Sequence, residues 1–107
     1  MNCIAFDLSL QIVRSLKAPL AQLTLRDGAL ADQVRRSASS VPLNLAEGRR
    51  RAGKDRLHSY RIAAGSADEV RAALLVAAAW DWLDGASVAE PLRLLDHLLA
   101  ILWKLTH

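Results

Sequence analysis

Leu8, Ile12, Leu16, Leu20 and Leu23 recur at spacings of 4, 4, 4 and 3. Side chains spaced in this way fall on one stripe of an α-helix, whereas a strand would need alternation with a period of two. Leu30, Val34, Ala38, Val41 and Leu45 repeat the pattern at 4, 4, 3 and 4. No β-pattern competes with these stripes, and the composition agrees: Leu (20) and Ala (19) far outnumber Val and Ile (10 together). Branching at Cβ is what would restrict rotamers in helices and favour strands. An all-α fold is predicted.

The stripes and their punctuation predict helices over about residues 6–23, 27–50, 55–83 and 88–106. Pro19 should bend or shorten the first. Asp27 is available as N-cap of the second, which ends at "RAGKD", where Gly53 is free to turn left-handed and Asp55 to cap the third. The third helix places Leu57, Ala64, Ala67, Val70 or Arg71, Leu74 and Ala78 near one face and stops at "LDGAS". Ser87, with Glu90 three residues on, reads as a capping box for the fourth, and Pro91 falls in its first turn. Links of roughly three to six residues force neighbouring helices antiparallel. The 107 residues therefore predict one domain, an up-down-up-down four-helix bundle.

The fourth helix carries more apolar surface than a bundle core needs. Leu92, Leu94, Leu95, Leu98, Leu99, Ile101, Leu102, Trp103 and Leu105 span an arc of about 200° at 100° per residue, about twice a core-facing stripe. The third helix shows a similar surplus between Ala72 and Trp80. A homo-oligomer with helices 3 and 4 forming the subunit contact is predicted, the alternative being that helix 1 covers the wide stripe within the monomer. The run from Ala72 to Trp80 is nine residues long, short of the ~18 to 20 needed to span a bilayer. The start "MNCIAFDLSLQ" carries no export signal, so a cytoplasmic protein is expected. A single Cys3 has no partner for a disulfide and reads as an inert thiol.

A hairpin centred near residue 52 pairs helices 2 and 3 so that opposing residue numbers sum to about 104, within one helical turn. "SASS" (37–40) then faces "AGSA" (64–67), small residues that permit close approach. Arg36 falls near Asp68 and Glu69, and Asn44 and Glu47 fall near Leu57 to Arg61. Arg36 with Glu69 and Glu47 with Arg61 are the pairs this register selects, with Ser40 and Asn44 as further register-setting polar groups. Pro42 predicts a kink whose freed carbonyls need a nearby hydroxyl, water or arginine.

Charge is unevenly distributed. Between Arg26 and Arg61 nine Lys and Arg face four acids, whereas the rest of the chain has five bases and seven acids. Arg49, Arg50, Arg51, Lys54 and Arg56 gather at the turn between helices 2 and 3, a cluster that either solvates the hairpin or attracts a phosphate backbone by counterion release. With only Tyr60 as a nearby aromatic, backbone contact rather than base stacking is the expected mode.

The run "LADQVRRSASSVPLNLAEGRRR" followed by "SYRIAAGSADEVRAAL" resembles the four-helix-bundle, ribosomal-protein-like proteins encoded in intervening sequences of bacterial 23S rRNA genes. The resemblance rests on Gln33, Arg35, Arg36, Ser40, Asn44, Ala46, Glu47, Gly48, Gly65, Ser66 and Glu69. The accessory variability proteins of diversity-generating retroelements share this fold. The resemblance implies assembly into a pentameric ring and, through the retroelement relatives, a basic surface that binds nucleic acid and a reverse transcriptase.

A non-enzymatic protein without cofactor or metal is expected. No Glu-x-x-His pair of a bundle metal site occurs, His58, His97 and His107 are dispersed, and no nucleophile elbow or phosphate-cradling glycine loop is present. Two readings follow: a nucleic-acid-binding oligomer acting through the basic turn, and a protein adaptor, for example for a reverse transcriptase, with Trp80, Trp82 and Trp103 as interface anchors.

Overall fold

The computed structural model describes the backbone from residue 3 to residue 107 and side chains from residue 4. The reading of the Cys3 thiol lies outside the described residues. The described residues form five helices: α1 (Cys3–Ser15), α2 (Lys17–Arg26), α3 (Gly28–Arg49), α4 (Gly53–Ala79) and α5 (Gly85–Thr106). No strand occurs among the described residues. Each helix packs on the next in sequence, α1 also packs on α3 and α5, and α3 against α4 is the most extensive contact. The chain measures 42 × 22 × 20 Å along its principal axes.

The helix predicted over 6–23 is two helices. Pro19 has no N–H to give the Ser15 carbonyl, and the division falls just after that residue, at Leu16. The Leu16 N–H there reaches both the Ile12 and Val13 carbonyls, at 3.1 and 3.2 Å, the three-centre pattern of a tightened turn. Pro19 becomes the third residue of α2, where a missing donor leaves nothing unsatisfied. α3 begins where Asp27 accepts a hydrogen bond from the Leu30 N–H at 2.9 Å, and it runs through Pro42 as one helix.

α4 ends at Ala79 rather than near 83, without a glycine. Asp81 adopts φ +60°, and the Trp82 N–H returns to the Ala77 carbonyl at 2.9 Å while the Asp81 N–H reaches Ala78 at 3.0 Å. This is a Schellman stop built on aspartate, one of the few side chains that tolerates the left-handed region. The early stop lets α5 begin at Gly85, capped by the Asp84 carboxylate accepting from the Ser87 N–H at 2.7 Å. Ser87 is therefore not the cap, and Pro91 lies inside α5 beyond its first turn.

The first stripe is entirely core: Leu8, Ile12, Leu16, Leu20 and Leu23 are all at most 8% exposed. Most of the α5 leucines are absorbed within the monomer too, since Leu94, Leu95, Leu98 and Leu102 are buried and only Trp103 and Leu105 stand out as exposed large apolar residues. On α4 the buried line is Tyr60, Ala63, Ala67, Val70, Leu74 and Ala77, offset from the predicted Leu57, Ala64 and Ala78. Burying one such leucine contributes about 1.5–3 kcal/mol, against about 0–1 kcal/mol for an exposed ion pair. Apolar packing therefore carries the fold, and the surface pairs trim it.

Candidate nucleic-acid interface

The basic turn is built by the stop of α3 and the start of α4. Arg50 closes α3 with its N–H on the Glu47 carbonyl at 3.1 Å, and the Arg51 N–H reaches the Gly48 carbonyl at 3.1 Å. Gly53, at φ +56°, then reverses the chain in a conformation that penalises any residue with a Cβ. It opens α4 rather than closing α3. Ala52 is the N-cap and offers no side-chain acceptor, so Asp55 is not the cap of this helix.

The five cations of the turn fall into different environments. Arg49 is half-buried, with its guanidinium carbon 4.9 Å from the centroid of the Phe6 ring on α1, a cation–π contact that holds it to the end of that helix. Arg56 donates from Nε to the Gly48 carbonyl at 3.2 Å, tying the first turn of α4 to the last turn of α3. Arg51 pairs with Glu47 at 2.6 Å, and this contact raises the guanidinium's pKa, first through the hydrogen bond and then through the carboxylate's charge. Arg50 and Lys54 are exposed, and their side chains have no partner among the described residues. Shallow clefts of about 280 Å³ (Glu47, Arg50, Arg51) and about 220 Å³ (Glu47, Arg51, Asp55, His58, Ser59) lie against the Glu47–Arg51 pair.

The register-setting groups form a polar seam between α3 and α4, with partners that differ from the predicted ones. Glu69 accepts from the Ser37 hydroxyl and from Gln33 Nε2 at 3.2 Å. These two bonds, with a smaller effect from the Arg36 charge, lower its pKa. Arg36 makes no ion pair with Glu69. Ser40 Oγ meets Ser66 Oγ at 3.0 Å, and Asn44 Nδ2 donates to the Ser40 carbonyl and hydroxyl, both at 2.9 Å. Glu47 turns to Arg51, just past the end of its own helix, and Arg61 on α4 stays exposed without it. The predicted antiparallel register nonetheless holds, since Ser37 meets Glu69, Ser40 meets Ser66 and Gly48 meets Tyr60.

At Gly48 the Tyr60 ring packs directly on the α3 backbone, so that an added Cβ would stand 2.5 Å from Tyr60 Cε1. Gly65, in the facing "AGSA" segment, is exposed and would meet nothing within 4 Å, so that glycine does not serve close packing inside the monomer. Phe6 is the member of this region that sequence reasoning left out, while Gly48 entered only through the family resemblance and Asp55 only as a helix cap. Glu47 and Arg51 stand four residues apart, a signal sufficient to pair them. Among the described residues no three His, Cys, Asp or Glu side chains gather in a metal-holding group, and no helix is long and apolar enough to cross a membrane.

A family model described as 23S rRNA-intervening sequence protein matches residues 3–104. Among solved structures, a protein of unknown function from the S23 ribosomal protein family of Bacteroides thetaiotaomicron superposes with a TM-score of 0.87 at 16% identity, covering 95% of this chain and 97% of that one. At that identity the likeness speaks for the fold. No curated protein matches the chain.

Proposed function

This chain belongs to the 23S rRNA-intervening sequence protein family, and from the geometry of its α3–α4 turn we propose that it is a non-enzymatic, cytoplasmic oligomer that binds the phosphate backbone of nucleic acid. The observation that carries this reading is the pair of exposed cations without internal partners, Arg50 and Lys54, on either side of Gly53 and beside Arg51. Such cations hold condensed solvent anions weakly and gain by replacing them with phosphates, whose own counterions are released. Stacking is not part of the mechanism: Tyr60 is buried behind Gly48 and Phe6 lies against Arg49. Contact with backbone alone carries no sequence preference.

Read as two arms of one bent rod, α1 and α2 give with α3, α4 and α5 a four-rod antiparallel bundle. Leu75 and Val76 on α4, Trp80 just past its end, and Trp103 and Leu105 on α5 are between 37% and 65% exposed, apolar surface suited to contacts between copies. A pentameric ring, which the family resemblance implies, would present five basic turns together, and avidity would then strengthen a weak individual site. The exposure of Trp80 and Trp103 also favours a second reading, an adaptor that docks a protein such as a retroelement reverse transcriptase without touching nucleic acid.

An electrophoretic shift titration at low salt with single-stranded and duplex oligonucleotides separates the two. Nucleic-acid binding predicts retention that falls steeply with salt and is lost in the Arg50→Glu, Lys54→Glu double variant. That variant should fold, because neither side chain has an internal partner to lose. Absence of retention by the wild-type protein would leave the adaptor reading.

A further inference from the structure

We infer that Glu47 sets the affinity of the α3–α4 turn for phosphate by competing for Arg51, an inference that rests on the nucleic-acid reading above. Arg51 Nε and Nη2 lie 2.8 and 2.6 Å from the same Glu47 oxygen, Oε1. The carboxylate thereby covers the Nε–Nη2 edge of the fork that a phosphodiester would otherwise engage. Asp55, one turn into α4, adds a second negative charge that acts on the same guanidinium. In the free protein the turn therefore presents five cations opposed by two carboxylates, with the most central cation already neutralised.

The arrangement makes the pair displaceable. Both side chains are about half-exposed, at 54% and 47%, and an exposed ion pair of this kind is weak. The clefts against the pair both include Glu47 and Arg51 among their walls, so an incoming phosphate has access to Arg51 from solvent. A lone phosphate must displace Glu47 with little else to hold it. A polynucleotide is first held by Arg50 and Lys54, and its next phosphate then meets Arg51 at high effective concentration. Glu47 thus selects polyanions over single phosphates and keeps binding salt-labile.

The test titrates a fluorescein-labelled single-stranded RNA of about 20 nucleotides by anisotropy at 50 to 200 mM KCl. It compares wild type, Glu47→Gln, Asp32→Asn and the double variant Glu47→Gln, Arg51→Gln. Glu47→Gln is expected to bind about tenfold tighter at 50 mM, with a log–log salt slope steeper by about 0.7, the contribution of one more neutralised phosphate on a single strand. Asp32→Asn makes the same change in net charge and frees Arg35 from a 2.7 Å pair on the same helix, about 24 Å away along the axis. It is expected to stay within twofold of wild type. The double variant is expected to fall back to wild-type affinity or below. Equal binding by Glu47→Gln and wild type, or a gain in Asp32→Asn as large as that in Glu47→Gln, overturns the inference and leaves the nucleic-acid reading standing. If no variant binds at 50 mM, both fail.

Discussion

Gly48 lies so close beneath the Tyr60 ring that a Cβ added to it would stand 2.5 Å from Cε1 and 2.7 Å from Cδ1. Tyr60 is only 7% exposed, so its ring has packed neighbours on its other sides and moves aside only at a cost. Alanine at 48 would gain about 1 kcal/mol of helix propensity but force apart the two most extensively packed helices, an overpacking cost of about 1–3 kcal/mol. Gly48→Ala is expected to be destabilising by about 1 kcal/mol net. Gly65→Ala, where nothing stands within 4 Å, is expected to stabilise by about 0.5–1 kcal/mol. Urea unfolding of the two variants checks the opposite signs, and a stabilised Gly48→Ala would show that the Tyr60 contact yields without cost.

Adjacent arginines at the basic turn should separate by function. Arg49 gives up its contact with Phe6 when truncated, so Arg49→Ala is expected to cost about 0.5–1 kcal/mol of stability and to change nucleic-acid binding only modestly. Arg50→Ala, with no side-chain partner to lose, is expected to leave stability within about 0.5 kcal/mol of wild type and to weaken binding severalfold at low salt. Thermal melts and anisotropy titrations on the same preparations distinguish them. A melting loss in Arg50→Ala equal to that in Arg49→Ala contradicts this division.

Large aliphatic residues with polar neighbours made the first two stripes legible, because no other helical phase buries Leu8, Ile12 and Leu16 together. α4 was harder to phase. Alanines occupy both its buried line, at 63, 67 and 77, and its flanks, at 64 and 78, so apolar identity alone carries little contrast. Ser87 is the N-cap that the sequence reading selects for α5, although Asp84 suits the position equally well. The choice fell to Asp84 once Asp81, and not Gly85, took the left-handed position ending α4. At the seam, the register was readable but the ion-pair partners were not. Glu47 had Arg61 across the hairpin and Arg51 one turn away, and the local partner asks less ordering of two long side chains. The Arg49 contact with Phe6 was beyond reach, since it depends on where the start of α1 lies relative to the end of α3.

Acid should weaken the seam between α3 and α4 through Glu69. Hydrogen bonds from Ser37 and Gln33 hold its carboxyl below the ordinary range. A group whose folded pKa is depressed contributes stability that is fully present above its unfolded value, near 4.3, and that is lost as pH falls through the folded value. Glu69→Gln keeps hydrogen-bonding capacity but cannot titrate. The drop in urea midpoint between pH 7 and pH 3 is expected to be smaller in Glu69→Gln than in wild type. An equal drop in both proteins would mean that these bonds do not favour the ionised form.

Ring assembly makes a sharper demand than oligomerisation alone. A closed ring uses a heterologous contact, in which one face of a subunit meets a different face of the next, whereas a twofold dimer uses the same patch on both. With α4 contributing one face through Val76 and α5 the other through Trp103, both exposed, Val76→Glu and Trp103→Glu should each give monomers of unchanged helix content in sedimentation velocity. Mixed in equal amounts, the two variants retain one good α4 face and one good α5 face between them. They are expected to form dimers and nothing larger, because the remaining faces of each pair are both spoiled. Recovery of full-size assemblies on mixing, or persistence of assemblies in either variant alone, would place the subunit contact elsewhere on the surface.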